Sequence, residues 1–141
     1  MALDENQLAV VLQASIERAR ELLHEDGGFL PFGARAKPSG EIEFVQLAPA
    51  SEAESLDALF NRLGDMLAAE ALRGEILGSA LVAHARPAGD GGNAVAVLIE
   101  TQDFSRSVLV PYRIEQGSVE LGEMTPQPAA PAVFAATAGA R

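Results

Sequence analysis

Residues 94–123, AVAVLIETQDFSRSVLVPYRIEQGSVELGE, decide the fold. They hold three apolar segments, 94–100, 108–114 and 119–121, joined by short polar links. Links of that length make an antiparallel meander, because parallel neighbours need a crossover of about a dozen residues or more. Residues 94–99 contain no polar alternate, so both faces of this segment are expected to be covered and the strand to lie centrally. Pro111 lacks an amide hydrogen, and its strand is expected to have a free edge or a bulge there.

Upstream, residues 76–86 read as a long strand and 87–92 as a loop. Before them, Leu56, Leu59, Phe60, Leu63, Met66, Leu67 and Ala71 form an apolar stripe at helical spacing, ended by Gly74. Ser51 and Glu54 stand at the spacing of a capping box, which places the start of this helix at Ser51. A first helix is expected over about 4–25, from the recurrence of Leu8, Val11, Leu12, Ala19, Leu22 and Leu23. Asp4 is suited to cap its start, and Gly27 and Gly28 to a left-handed ending. Residues 29–36 and 41–47 flank Lys37-Pro38-Ser39-Gly40, a reverse-turn sequence, and read as a hairpin with Ile42 and Phe44 on one face and Glu41, Glu43 and Val45 on the other. Pro31 argues that the first arm of this hairpin is irregular or lies at an edge.

From Thr125 the composition turns to Pro and Ala. The expectation is a single α+β domain over 1–124, with an antiparallel sheet of five or six strands and two amphipathic helices in the order α-β-β-α-β-β-β. Residues 125–141 are expected to be a flexible or surface-draped arm, in which Val133 and Phe134 are the part suited to dock, in cis or on a neighbouring subunit.

A chain of 141 residues is the size of one domain, long enough to bury about two-thirds of its unfolded surface. The hydrophobic share is 48% and the aromatic share 5%, so the core is expected to rest on Ala, Val, Leu and Ile. A net charge of −10 and a single lysine, Lys37, speak against nucleic acid and against anionic membranes. Cysteine is absent, which excludes disulfides, thiol nucleophiles and cysteine metal sites. Asp4, Glu5, Glu17 and Arg18 interrupt the first 25 residues, unlike a signal peptide, and no segment approaches the roughly 20 apolar residues of a membrane span. The cytoplasm is the expected compartment.

No set of residues makes a persuasive active site, and no cofactor or metal is implied. Gly89-Asp90-Gly91-Gly92-Asn93 has phosphate-loop composition, but a strand follows it where a helix N-terminus is needed, so it reads as a hairpin loop. In His24-Glu25-Asp26, adjacent helical residues point about 100° apart and do not converge on one ion, whereas a histidine in a last turn complements the helix dipole. His84, Glu100, Asp103, Tyr112 and Arg113 form the best polar set, since neighbouring strands can gather them. Against this, His84 is in phase with Ala80, Val82 and Arg86 and suits a partly wet strand end. Phe29 and Phe32 hold part of the scarce aromatic content; they belong in the core unless exposed, in which case they mark a binding or self-association patch.

Phe29-Leu30-Pro31-Phe32, Ala80-Leu81-Val82, Asn93-Ala94-Val95-Ala96-Val97, Val110-Pro111-Tyr112-Arg113 and Val119-Glu120-Leu121-Gly122-Glu123 together give this chain a resemblance to a family of small acidic bacterial proteins. The match spans about 28–124 and departs at Glu100-Thr101-Gln102-Asp103-Phe104, where the family has a short Gly-containing turn. No activity comes with it, so it transfers no functional residues. The element order also looks like that of roadblock and profilin-like domains, scaffolding or regulatory modules that often dimerise through a sheet edge or a helix. These features lead to a noncatalytic protein-interaction or regulatory module, expected to be a homodimer. The alternatives are a small-molecule binder or enzyme using His84, Asp103, Tyr112 and Arg113, and an immunity-like protein whose acidic surface blocks a basic toxin.

Overall fold

Asp4 opens helix α1 (Glu5–Asp26) with a capping box: its carboxylate accepts from the Gln7 amide at 2.8 Å, and the Gln7 side chain accepts from the Asp4 amide at 2.9 Å. Gly27 closes the helix at φ 74°, a left-handed conformation that costs glycine nothing. The chain then enters the hairpin β1 (Phe32–Ala36) and β2 (Ile42–Val45), turned at Lys37-Pro38-Ser39-Gly40. Helix α2 (Leu56–Leu72) follows, and then β3 (Gly78–Ala85), β4 (Asn93–Thr101), β5 (Phe104–Glu115), β6 (Ser118–Leu121) and β7 (Thr125–Pro128). The computed structural model describes residues 3–86 and 92–134. The glycine-rich expectation at 89–91 lies outside the described residues; β3 and β4 on either side of it are antiparallel partners.

The start of α2 differs from the capping-box reading. Its cap is Ser55, whose Oγ accepts from the Ala58 amide at 3.1 Å. Glu54 is drawn away by Arg62, which grips it with two hydrogen bonds of 3.0 Å, and by the Ala50 amide. Starting at Leu56 puts Leu59, Leu63, Leu67 and Ala71 on the buried stripe and leaves Leu56 exposed.

The sheet is antiparallel with strand order β2-β1-β3-β4-β5-β6, so the all-apolar 94–99 segment is central, as its composition requires. It carries seven strands, more than the five or six expected, because the Pro-rich 125–128 stretch adds β7 along β5 beyond β6. Prolines at 126 and 128 are compatible with pairing because they alternate: Thr125 and Gln127 can turn their amides to β5 while both prolines face the open side. Between β6 and β7, Val110 and Pro111 face the three residues 122–124, a bulge. Pro111 sits at this bulge, its carbonyl accepting from the Gly122 amide at 2.7 Å.

The helices lie on opposite faces. On the α1 face, Phe32, Ala34, Ala80, Val82, Val95, Val97, Ile99, Val108 and Val110 alternate inward against Val11, Ile16, Ala19 and Leu23. Each such Val, Leu or Phe is worth about 1.5–3 kcal/mol when fully buried. On the α2 face, Leu81 meets Leu63, Leu67, Ala71 and Ile76, joined by Val133 and Phe134 from the chain beyond β7. Among the described residues, no helix is long and apolar enough to cross a membrane.

Candidate functional site

The polar set read from the sequence does not share one cleft. His84 and Tyr112 meet at one end of the sheet on the α1 face, with ring centroids 5.9 Å apart in an edge-to-face arrangement. His84 Nε2 lies 3.2 Å from Asn93 Oδ1 and the imidazole is exposed. Burial pushes the Tyr112 phenol above its usual range, a shift opposed by the Arg86 charge. Arg113, next along β5, points to the opposite face; it is 71% exposed and paired with Glu115 and Glu120. Tyr112 and Arg113 both border a shallow hollow of about 360 Å³ shared with Asn93 and Leu121. Asp103 sits in the turn between β4 and β5, where its amide donates to Thr101 Oγ1. Strand β4 runs eight residue steps between the register of Tyr112 and that of this turn, about 27 Å at strand rise. A histidine and a carboxylate so far apart cannot exchange a proton. Among the described residues no cluster of three or more His, Asp or Glu side chains is arranged to hold a metal; His24 instead lines a hollow with Glu17, Arg20 and Glu21 beside the β5–β6 turn.

The aromatic expectation is redistributed. Phe32 is buried at 2% exposure and Phe29 is half-buried, with their rings 5.7 Å apart. The ring that reaches the surface is Phe44 on β2, 45% exposed and stacked edge-on against Phe32 at 6.1 Å. Beside it, Ile42 and Val10 border an apolar hollow of about 170 Å³ between α1 and the hairpin, and Val10 is 56% exposed. Strand β2 pairs with β1 alone among the described residues, so its outer backbone groups form an open edge. The charges at this edge are internally compensated. Lys37 Nζ lies 2.9 Å from Glu43 and 3.7 Å from Glu41, and Arg35 lies 3.5 Å from Glu43. The Lys37 hydrogen bond holds the Glu43 carboxyl below its usual range. The position of Phe44 on one face of a hairpin is legible in the sequence; that β2 ends the sheet is not.

Glu100 leaves the polar set altogether. It is fully buried on the α2 face, where its carboxylate accepts from three successive backbone amides: Ala132 at 2.8 Å, Val133 at 3.0 and 3.1 Å, and Phe134 at 3.2 Å. A carboxylate inside a central apolar strand demands donors, and that demand is the sequence signal that would have found this contact. In comparisons with known proteins, no family model, no curated protein and no solved structure matches the chain.

Proposed function

We propose that the protein is a noncatalytic interaction module that associates with a second copy of itself through the open edge of β2. The observation that carries this reading is the outer side of β2, unpaired among the described residues, with the exposed Phe44 ring beside it. An edge strand's free N–H and C=O groups complement those of another strand, including an identical one. A two-fold pairing centred on Phe44 sets each ring against its counterpart and Glu43 against Val45, so like charges do not meet. A chain of charge −10 repels its copy overall, but Lys37 and Arg35 neutralise the carboxylates at this edge. On the opposite side of the sheet the β7 stretch is less suited, since Pro126 and Pro128 present no donors.

Light scattering coupled to size exclusion, across a wide concentration range, tests the reading. The native chain is expected to pass from monomer to dimer and the Phe44→Asp chain to remain monomeric. A native chain that stays monomeric at high concentration overturns it.

A further inference from the structure

Val133 and Phe134 fill the α2-face cleft as a ligand would fill a site. Both are almost fully buried against the cluster of Leu63, Leu67, Ala71, Ile76 and Leu81. Their polar anchor is Glu100, and what Glu100 recognises is backbone: the amides of residues 132–134 form a nest around one carboxylate. The tether is slight. It consists of residues 129–131, without regular structure, leading from β7, a four-residue strand exposed along its length.

A second observation concerns the floor of this cleft. Ser79 and Ser105 are the register partners of Glu100 on β3 and β5, so the three side chains stand in a row on the α2 face. Directly opposed residues of this kind have Cβ atoms about 4.5–5.5 Å apart. Among the described residues, the Oγ atoms of Ser79 and Ser105 are buried without a hydrogen-bond partner, and Ser79 is fully buried. Unsatisfied buried hydroxyls are disfavoured.

We infer that the cleft around Glu100 is a peptide-binding site filled in cis by residues 132–134, and that its partner in trans is the same segment of a second copy, exchanged between chains. The fit in trans is assured by identity, because the occupant seen in the cleft is the one proposed. Loss of the arm takes the three amides from Glu100 and opens the apolar wall of α2, a state that favours refilling. The cis arm holds the advantage of a short tether, an effective concentration on the order of millimolar. Exchange is therefore governed by the length of residues 129–131.

Both tests use the full chain carrying Phe44→Asp, so that association at the β2 edge does not contribute. In the first, Val133→Ala and Phe134→Ala strip the apolar anchors from the cis arm and leave it only its backbone amides with which to compete, and a fluorescein-labelled peptide of residues 129–137 is the probe, read by anisotropy. Saturable binding is expected, at least about tenfold tighter than to the chain with its own arm intact, and lost on adding Glu100→Gln. A variant with native far-UV circular dichroism that binds the probe no better than a scrambled peptide overturns the proposal. In the second, Ala129 and Ala130 are deleted, leaving a tether too short for the arm to fold back. A dimer by light scattering is expected. A monomer overturns the proposal, and this readout remains decisive if the alanine variant does not fold. Neither outcome depends on whether the native β2 edge self-associates.

Discussion

The two faces of the sheet are closed by different chemistry. Beneath α1 the contact is a continuous apolar layer, and the fully buried hydroxyl within it, Ser15 Oγ, is satisfied locally by donating to the Val11 carbonyl at 2.8 Å. Beneath α2 the layer is shared between a helix and a C-terminal segment, and it contains Glu100, Ser79 and the pairing of Arg35 with Glu70 at 3.1 Å. Apolar burial is non-directional and tolerates any occupant of suitable shape. A buried carboxylate requires particular donors, so it selects what covers it and penalises vacancy. The α1 face therefore carries stability, and the α2 face carries specificity.

The largest expected effect lies on the first face. Phe32 is buried between Phe29, Phe44 and the strands under α1, and Phe32→Ala should cost about 3–5 kcal/mol through lost burial and the cavity left behind. Urea denaturation followed by far-UV circular dichroism measures it. A loss below about 0.5 kcal/mol, within the range of ordinary surface changes, would mean that the α1 face is not the tightly packed half of the comparison.

A smaller and more local effect is expected on the second face. Glu100→Gln keeps the volume but replaces one acceptor oxygen with a donor facing three amides. Hydrogen bonds to a charged group contribute about 1.5–3 kcal/mol, so exchange of the 132–134 amides should accelerate by one to two orders of magnitude, about tenfold per 1.4 kcal/mol. Amides of β4 beneath α1 should keep their protection. Uniform loss across the sheet would show that the arm and the helices form one cooperative unit and would remove the distinction drawn between the faces.

The same contrast explains which parts of the structure are legible in the sequence. Under α1, periodicity suffices: Val11, Ala19 and Leu23 recur at helical spacing, residues 94–99 admit no wet face, and both helix ends carry their caps in the nearest residues. The bulge at Pro111 is equally local, because a missing amide hydrogen must go somewhere. On the other face the deciding contacts are distant in sequence. Glu100 meets residues 32–34 positions away, and Glu54 leaves its helix start for Arg62, eight positions on. A local motif such as Ser51-Glu54 competes with these partners and loses. Strand order is also nonlocal, which is why Phe44 surfaces at an edge that the hairpin pattern alone does not identify. The separation of Asp103 from His84 follows from register: a residue in a hairpin turn and one near the far end of the neighbouring strand belong to opposite ends of the sheet.

The smallest expected effect concerns the rim of the α1 face. The chain has one tyrosine and no tryptophan, so the near-ultraviolet absorbance of tyrosinate reads Tyr112 alone. Burial favours the neutral phenol and raises its pKa above the ordinary value of 10.0, with Arg86 acting in the opposite sense. A group whose folded-state pKa is raised stabilises the fold fully below its unfolded pKa. That contribution is lost as pH rises through the folded value. The absorbance midpoint should therefore lie above 10.0 in the native chain and fall to the ordinary value in denaturant, and stability should decline across that alkaline window. Tyr112→Phe should show a smaller decline, since phenylalanine fills the same site without a proton to lose, leaving the contribution of Lys37, whose pKa the Glu43 hydrogen bond also raises. A native midpoint at or below 10.0 would place Tyr112 in water, and the apolar layer under α1 would then end before β6, short of where Val119 and Leu121 now extend it.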